Sequence, residues 1–582
     1  MKNTAHSFLN KFFKFVVFLS VFLSGSVFAL EAKAQSEIQS FSIESSYDLY
    51  GRKVIEAVLI RTTSLAHFYI EKSWWDGRSS QEQNDMKIAI FELGAEFQNK
   101  IYPVLTSTFG LEPKPGVDKD ERITVLVHQM GSDAGGYFRS GNVYEKLQSP
   151  SSNEREMVYL NSQYIGKPDV KSFLAHEFVH LITINQKDLL RRTTEETWLN
   201  EARAEYAPTL LGYDDTYKGS NLERRVRDFL ARPSDSLTEW RNKKEDYGMV
   251  NVFIQYLVDH YGVRILVDSL QSSQVGISSI NEALRKNGFQ EDFVQVYEDW
   301  AIAVLVNDCV LGKRYCYVNK NLQDLRIAPV FYLLPGGETI FSTYHTVPYW
   351  SSNWHRLTGG GQSLTLEFEG VTEANFEVPY VLCDSQDICS VKFFSLDVAQ
   401  KGTLVFPGFS TQYNSLTLIP FAASNEAQIN GEGSSFPFSW KASVKRELGT
   451  ERETALLVSQ LLARVAELQE RVRQLQAQLR LARGQDGSRV SCSRFERDLS
   501  FGAQSQEVRC LQEFLAAQGA AVYPEGLVTG NFLSATRQAV IRFQQKYASE
   551  ILTPLGLQSA TGYVGQMTRN KINQLLGLLV VL

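Results

Sequence analysis

The sequence predicts a multidomain protein: a mixed α+β unit, an all-β unit of sandwich type, a heptad helix and a small α-helical bundle, in that order. Three observations predict it. The chain has 582 residues, too many for one core at roughly 100 to 200 residues per domain. Near Asp324 the pattern changes from strands mixed with helices to short alternating runs. Residues 451–483 hold neither Gly nor Pro, and their apolar residues recur at steps of three and four. A hydrophobic share of 43% with 16 Pro excludes a disordered, collagen-like or polytopic membrane protein. The net charge of −6 is spread along the chain rather than blocked, so no nucleic-acid partner is expected.

The first element is an export signal over residues 1–34. Lys2, Lys11 and Lys14 precede an apolar run from Phe15 to Leu30, and Ala32-Lys33-Ala34 or Val27-Phe28-Ala29 offers the cleavage site. The run is short of the roughly 20 residues that a membrane span requires. The α+β unit occupies 35–320. Ile123 to His128 and Met157 to Leu160 read as strands. Asp169 then stands where a helix cap is expected, before an amphipathic helix from Val170 to about Asn185. Further helices are expected near Leu199–Leu211 and Tyr247–Tyr261, the latter stopped by Gly262. Alternations such as Leu364-Thr365-Leu366-Glu367-Phe368 mark the sandwich-like unit, 321–446.

In the heptad helix, Val458, Val465, Val472 and Leu479 share one position and Leu461, Leu468 and Leu475 the other. β-Branched residues at the first and Leu at the second favour a parallel two-stranded coil, hence a homodimer through 451–483. A linker, 484–490, follows. Six cysteines fall into couples: Cys309 with Cys316, Cys383 with Cys389, Cys492 with Cys510. In an exported chain this favours disulfides over metal ligation, since no couple has the CxxC spacing.

The chemistry lies in the Val170 helix, as His176-Glu177-Phe178-Val179-His180. Residues four apart share a helix face, so both imidazoles can hold one metal ion while Glu177 reaches the water beside it. A catalytic zinc site takes a third protein ligand and keeps one position open. Eighteen residues after His180 begins Trp198-Leu199-Asn200-Glu201-Ala202-Arg203-Ala204-Glu205-Tyr206. There, Glu201 can complete the ligands and Glu205, one turn on, can orient a ligating imidazole, or the two acids can exchange roles.

HEFVH followed by WLNEARAEY resembles the gluzincin metallopeptidases, the thermolysin-like clan, with hyicolysin-like bacterial peptidases the nearest likeness. The resemblance implies a zincin-like fold for 35–320 and Zn²⁺ held by His176, His180 and Glu201. It implies Glu177 as general base and Glu205, with Asn200 beside Glu201, as the supporting groups around the ligands. It also implies hydrolysis of polypeptides by water that the zinc acidifies. The metzincin pattern is excluded, because Thr183 and Gln186 stand where it needs Gly and His. Ala202 departs from the Gly of many relatives. Tyr247 is the expected oxyanion donor by the same resemblance, with Tyr206 and His260 as rivals; His67 and His128 read as structural.

Residues 491–582 carry an internal repeat: Thr529-Gly530-Asn531-Phe532 leads to Thr536-Arg537 as Thr561-Gly562-Tyr563-Val564 leads to Thr568-Arg569. With Val508, Leu511, Gln512 and Phe543-Gln544, the repeat resembles the peptidoglycan-binding domain of type one. That implies a small helical bundle that binds peptidoglycan and holds the protein at the cell wall, although Ala548 to Ala560 is longer than the usual connection. The expectation is an exported zinc endopeptidase attached to the wall. Two rivals remain: a hydrolase of peptidoglycan cross-links, and a non-enzymatic adhesion or scaffold protein with a structural metal site.

Overall fold

The computed structural model describes residues 37–131, 134–424, 435–445, 465 and 494–579. The expected export segment and linker, Cys492 and, apart from Val465, the expected heptad helix with its expected dimer lie outside those residues. The chain divides into two compact units, up to residue 449 and from 450 onward. No helix among the described residues is long and apolar enough to cross a membrane.

The first unit opens on a six-stranded mixed sheet. Its strands are β1 (Ile38–Ser42), β2 (Val54–Thr62), β3 (Ala66–Glu71), β4 (Ile123–His128), β5 (Gly136–Phe138) and β6 (Met157–Asn161), ordered β1-β2-β3-β4-β6-β5. β4 runs parallel to β3 and β6, and every one of its residues is buried, as a strand covered on both faces requires. One face packs against α1 (Ser80–Glu96), α2 (Tyr102–Phe109) and α3 (Val170–Ile184). The short strand β5 ends the sheet antiparallel to β6 and lies beside α3. Gly136 makes that approach possible, because a Cβ there would stand 2.6 Å from the Tyr159 carbonyl oxygen and 3.0 Å from Glu177 Cγ.

A helical layer follows: α4 (Thr197–Leu210), α5 (Asn221–Ala231), α6 (Lys244–Tyr261), α7 (Arg264–Leu270), α8 (Gly276–Lys286) and α9 (Phe293–Val306). α6 stops at Gly262, as its left-handed φ of 81° allows. Asp169 departs from expectation. It has helical φ and ψ and makes no capping hydrogen bond, because a side chain caps the first turn only from extended backbone.

Two face-to-face sheets form the all-β part. One orders Lys401–Pro407, Ser363–Gly370, Ser435–Lys445 and Thr339–Pro348; the other orders Cys389–Phe393, Pro379–Asp384, Tyr413–Leu418, His355–Gly359 and Val330–Leu334. Leu366, Phe368, Phe438 and Trp440 from the first meet Leu357, Leu382, Leu416 and Leu418 from the second in one core. A second seam joins this part to the helices. Trp350, Trp354 and Phe421 belong to the same core as Tyr297 and Trp300 of α9, with the Tyr297 ring 5.3 Å from that of Trp350 and 4.9 Å from Phe421. Trp354 donates its indole N–H to the Ala301 carbonyl at 2.9 Å. Each buried ring of this kind contributes on the order of 2 to 3 kcal/mol.

Cys309–Cys316 and Cys383–Cys389 are disulfides, the latter joining directly paired residues of a hairpin. Cys510 is also disulfide-bonded.

The second unit packs α10 (Gln506–Ala517), α11 (Ser534–Lys546) and α12 (Gln566–Leu579) around one core. A buried glutamine organises each half. Gln512 Oε1 accepts the amides of Thr529 and Gly530 while its Nε2 donates to the Asn531 carbonyl and Thr536 Oγ1. Gln544 does the same for Thr561, Gly562, Tyr563 and Thr568. The long connection between the halves folds inward, for Ile551 and Leu552 are buried in the core.

Candidate metal centre

α3 and α4 cross so that the two halves of the sequence pattern meet. Ligand atoms of His176, His180 and Glu201 lie within 4.8 Å of one another, the one such cluster of three His, Cys, Asp or Glu residues among the described residues. The two Nε2 atoms are 3.1 Å apart. Glu201 Oε2 is 3.2 Å from His176 Nε2 and 3.5 Å from His180 Nε2, yet it is buried and makes no hydrogen bond of its own.

Partners behind the imidazoles fix which nitrogen carries the proton. His180 Nδ1 is 3.1 Å from Asn200 Oδ1, an oxygen that only accepts, so Nδ1 is a donor, and in the neutral ring Nε2 presents the lone pair. His176 Nδ1 faces Glu205 Oε1 at 3.5 Å. Glu205 is held by Arg225 through two bonds of 2.6 and 2.9 Å, by Asn221 at 2.9 Å and by Asn251 at 3.2 Å. Burial alone would raise its pKa; Arg225 overrides that and holds it down to about 2. With both rings neutral, two inward lone pairs and a carboxylate oxygen at these separations repel one another unless a metal ion or a proton lies between them. The donor set of two His and one Glu suits zinc.

Glu177 is buried beside the cluster, with burial raising its pKa and both imidazoles opposing the rise. It lines a cavity of about 320 Å³ with His176, His180, Glu201 and Tyr247. Tyr247 lies with its ring 6.5 Å from that of His176 and donates its hydroxyl to Asn242 Oδ1 at 2.9 Å. Burial pushes its pKa well up. Gly248, next along α6, lets that helix approach α5, since a Cβ would stand 2.5 Å from the Phe229 amide nitrogen. That approach sets the Arg225 guanidinium 4.5 Å from the Tyr247 ring.

The rivals of Tyr247 lie elsewhere: Tyr206 does not line the cavity, and His260 binds the Cys316 carbonyl at 2.8 Å. His67 pairs with Asp120, and His128 is buried against Tyr137. Sequence reasoning missed Tyr47, which lines the cavity from the turn after β1 and bonds Asn242. It also missed Asn242, in the left-handed region at φ 57°, and Arg225. None of the three belongs to a periodic or spaced pattern.

Residues 504–572 match the family described as "Putative peptidoglycan binding domain". The C-terminal unit is a peptidoglycan-binding domain. The chain is also similar to the neutral metalloprotease ShpI of Staphylococcus hyicus, 29% identical over 222 residues, which is 34% of this chain and 48% of that protein. The chain thus spans about half the length of the curated relative it matches. The Yersinia pseudotuberculosis-derived mitogen aligns with 20% of this chain and 92% of its own at 14% identity and a TM-score of 0.15. The pre-peptidase C-terminal domain of collagenase from Bacillus anthracis aligns with 20% and 97% at 12% identity and a TM-score of 0.13. At such TM-scores neither likeness bears on the fold.

Proposed function

We propose that this chain is an exported zinc endopeptidase of gluzincin type, held at the cell wall by its peptidoglycan-binding domain. The observation that carries the reading is the unpartnered Glu201 oxygen facing two imidazole nitrogens whose lone pairs are fixed inward. His176, His180 and Glu201 would hold zinc, which when bound would supply a Lewis acid that acidifies water and polarises a carbonyl. Glu177 takes the proton of the attacking water and returns it to the leaving amine. Tyr247 turns its hydroxyl from Asn242 to the oxygen that becomes negative in the transition state. Asn200 and Glu205 hold the imidazole tautomers, and Arg225 keeps Glu205 ionised. The similarity to a neutral metalloprotease supports the peptidase part and the family match supports the wall. Lys2, Lys11 and Lys14 ahead of an apolar run support export.

The test is zinc content measured together with casein cleavage. Chelation abolishes cleavage, and Glu177→Gln keeps the zinc and loses at least about a hundredfold in kcat. Persistent proteolysis by the metal-loaded variant rules out the role given to Glu177. The peptidoglycan-binding domain also favours a second reading, in which wall peptide cross-links are the substrate. Release of muropeptides from purified sacculi, without casein cleavage, selects it.

A further inference from the structure

The cavity continues past the metal cluster along α3 to the π-helical turn Asn185–Leu189, where Asp188 joins its lining. Asp188 Oδ1 accepts the Thr194 hydroxyl at 2.9 Å. Among the described residues no basic side chain pairs with this carboxylate; burial, with the charge of Glu195 added, raises its pKa. Of the three cations nearest in sequence, Arg192 is exposed and makes no ion pair with Asp188, and the other two are committed elsewhere. Lys187 gives its ammonium to the carbonyls of Ser269, Ser272 and Gln274, and Arg191 binds the carbonyls of Gln186 and Gln271. Arg203 neutralises Glu195 at 2.7 Å. Between Asp188 and the imidazoles lies Thr183, only 3% exposed, whose hydroxyl has no hydrogen-bond partner and which also lines the cavity.

A half-buried carboxylate without a cation beside it, and a buried hydroxyl without a partner, each cost free energy that a suitable ligand group relieves. Asp188 and Thr183 line the same cavity as Glu177 and His180.

We propose that this end of the cavity is a cation-accepting subsite. A lysine or arginine beside the scissile bond of a peptide substrate sets its charged head on Asp188, and its stem passes Thr183 and Ile184. The proposal rests on the peptidase reading, and the experiment separates the two. Zinc-loaded full-length protein is given matched peptides that differ only at the residues flanking the cleaved bond, with Lys, Leu or Glu there. The expected kcat/KM for the Lys peptide exceeds that for Leu by about tenfold or more. The ratio falls to about one in Asp188→Asn, which keeps the shape and the Thr194 hydrogen bond, and Asp188→Lys shifts preference to the Glu peptide. In the Glu177→Gln background, calorimetry shows the same order in affinity. Equal kcat/KM for Lys and Leu, or a Lys preference that survives Asp188→Asn, overturns the subsite and leaves the peptidase reading standing. No cleavage of any peptide, with Lys still bound more tightly than Leu through Asp188, overturns the peptidase reading and leaves the subsite. Neither cleavage nor discrimination overturns both.

Discussion

At the scale of single residues, this centre depends as much on the groups behind the ligands as on the ligands. Asn200 accepts the His180 Nδ1 proton, so Asn200→Leu removes the partner that fixes the tautomer while leaving all three ligands. Zinc affinity in that variant falls 10- to 100-fold, as competition with a chromogenic chelator measures. Glu156 gives the second residue-scale prediction. One of its oxygens accepts the Val117 amide at 3.1 Å and the other is buried without a partner. Burial, with Asp118 and Glu112 adding repulsion, raises its pKa to about 7. Its unfolded value is about 4.3, so between the two the folded chain holds the extra proton. The stability Glu156 contributes is therefore full below about pH 4 and lost as pH rises through about 7. Glu156→Gln removes that loss: its melting temperature exceeds that of wild type at about pH 8, and the difference closes towards about pH 4. That His176 and His180 share a helix face was legible in the sequence because spacing four along a helix is a local property. Tyr47 lines the cavity, Asn242 accepts from Tyr247 and Arg225 holds Glu205; the three come from separate segments that only the folded chain brings together.

At the scale of elements, the helices around the motif could be read because their apolar residues repeat and because Gly262 marks a stop. The π turn after α3 could not, since nothing in Asn185 to Leu189 breaks a helical pattern. The repeat of the C-terminal unit was visible as Thr-Gly and Thr-Arg pairs, and the structure supplies its cause: Gln512 and Gln544 each satisfy two turn amides, a carbonyl and a threonine hydroxyl. Gln544→Leu leaves the amides of Thr561 and Gly562 without their acceptor, at about 1 to 3 kcal/mol for each buried group. Hydrogen exchange in the full chain is expected to speed up at Thr561 and Gly562 before it does at Thr529 and Gly530. The matching change at Gln512 reverses the order.

At the scale of the whole molecule, the chain falls into two compact units, and the repeat that marks the peptidoglycan-binding domain was visible as a motif. The seam between the helices and the sandwich was not. Trp350 and Phe421 sit in a stretch whose alternation reads as a self-contained β core, but their rings complete the core of α9. Trp350→Ala is expected to cost about 3 to 5 kcal/mol and to lower the melting of the entire first unit in one transition, with fluorescence and peptide hydrolysis lost together. Two separate transitions would show instead that the sandwich melts alone. The seam also restricts how such a chain can be rearranged by recombination. A strand sandwich joined by a linker can be exchanged between proteins as a cassette; here an exchange would strip aromatic rings from α9, so any replacement must bring its own tryptophans to the same wall.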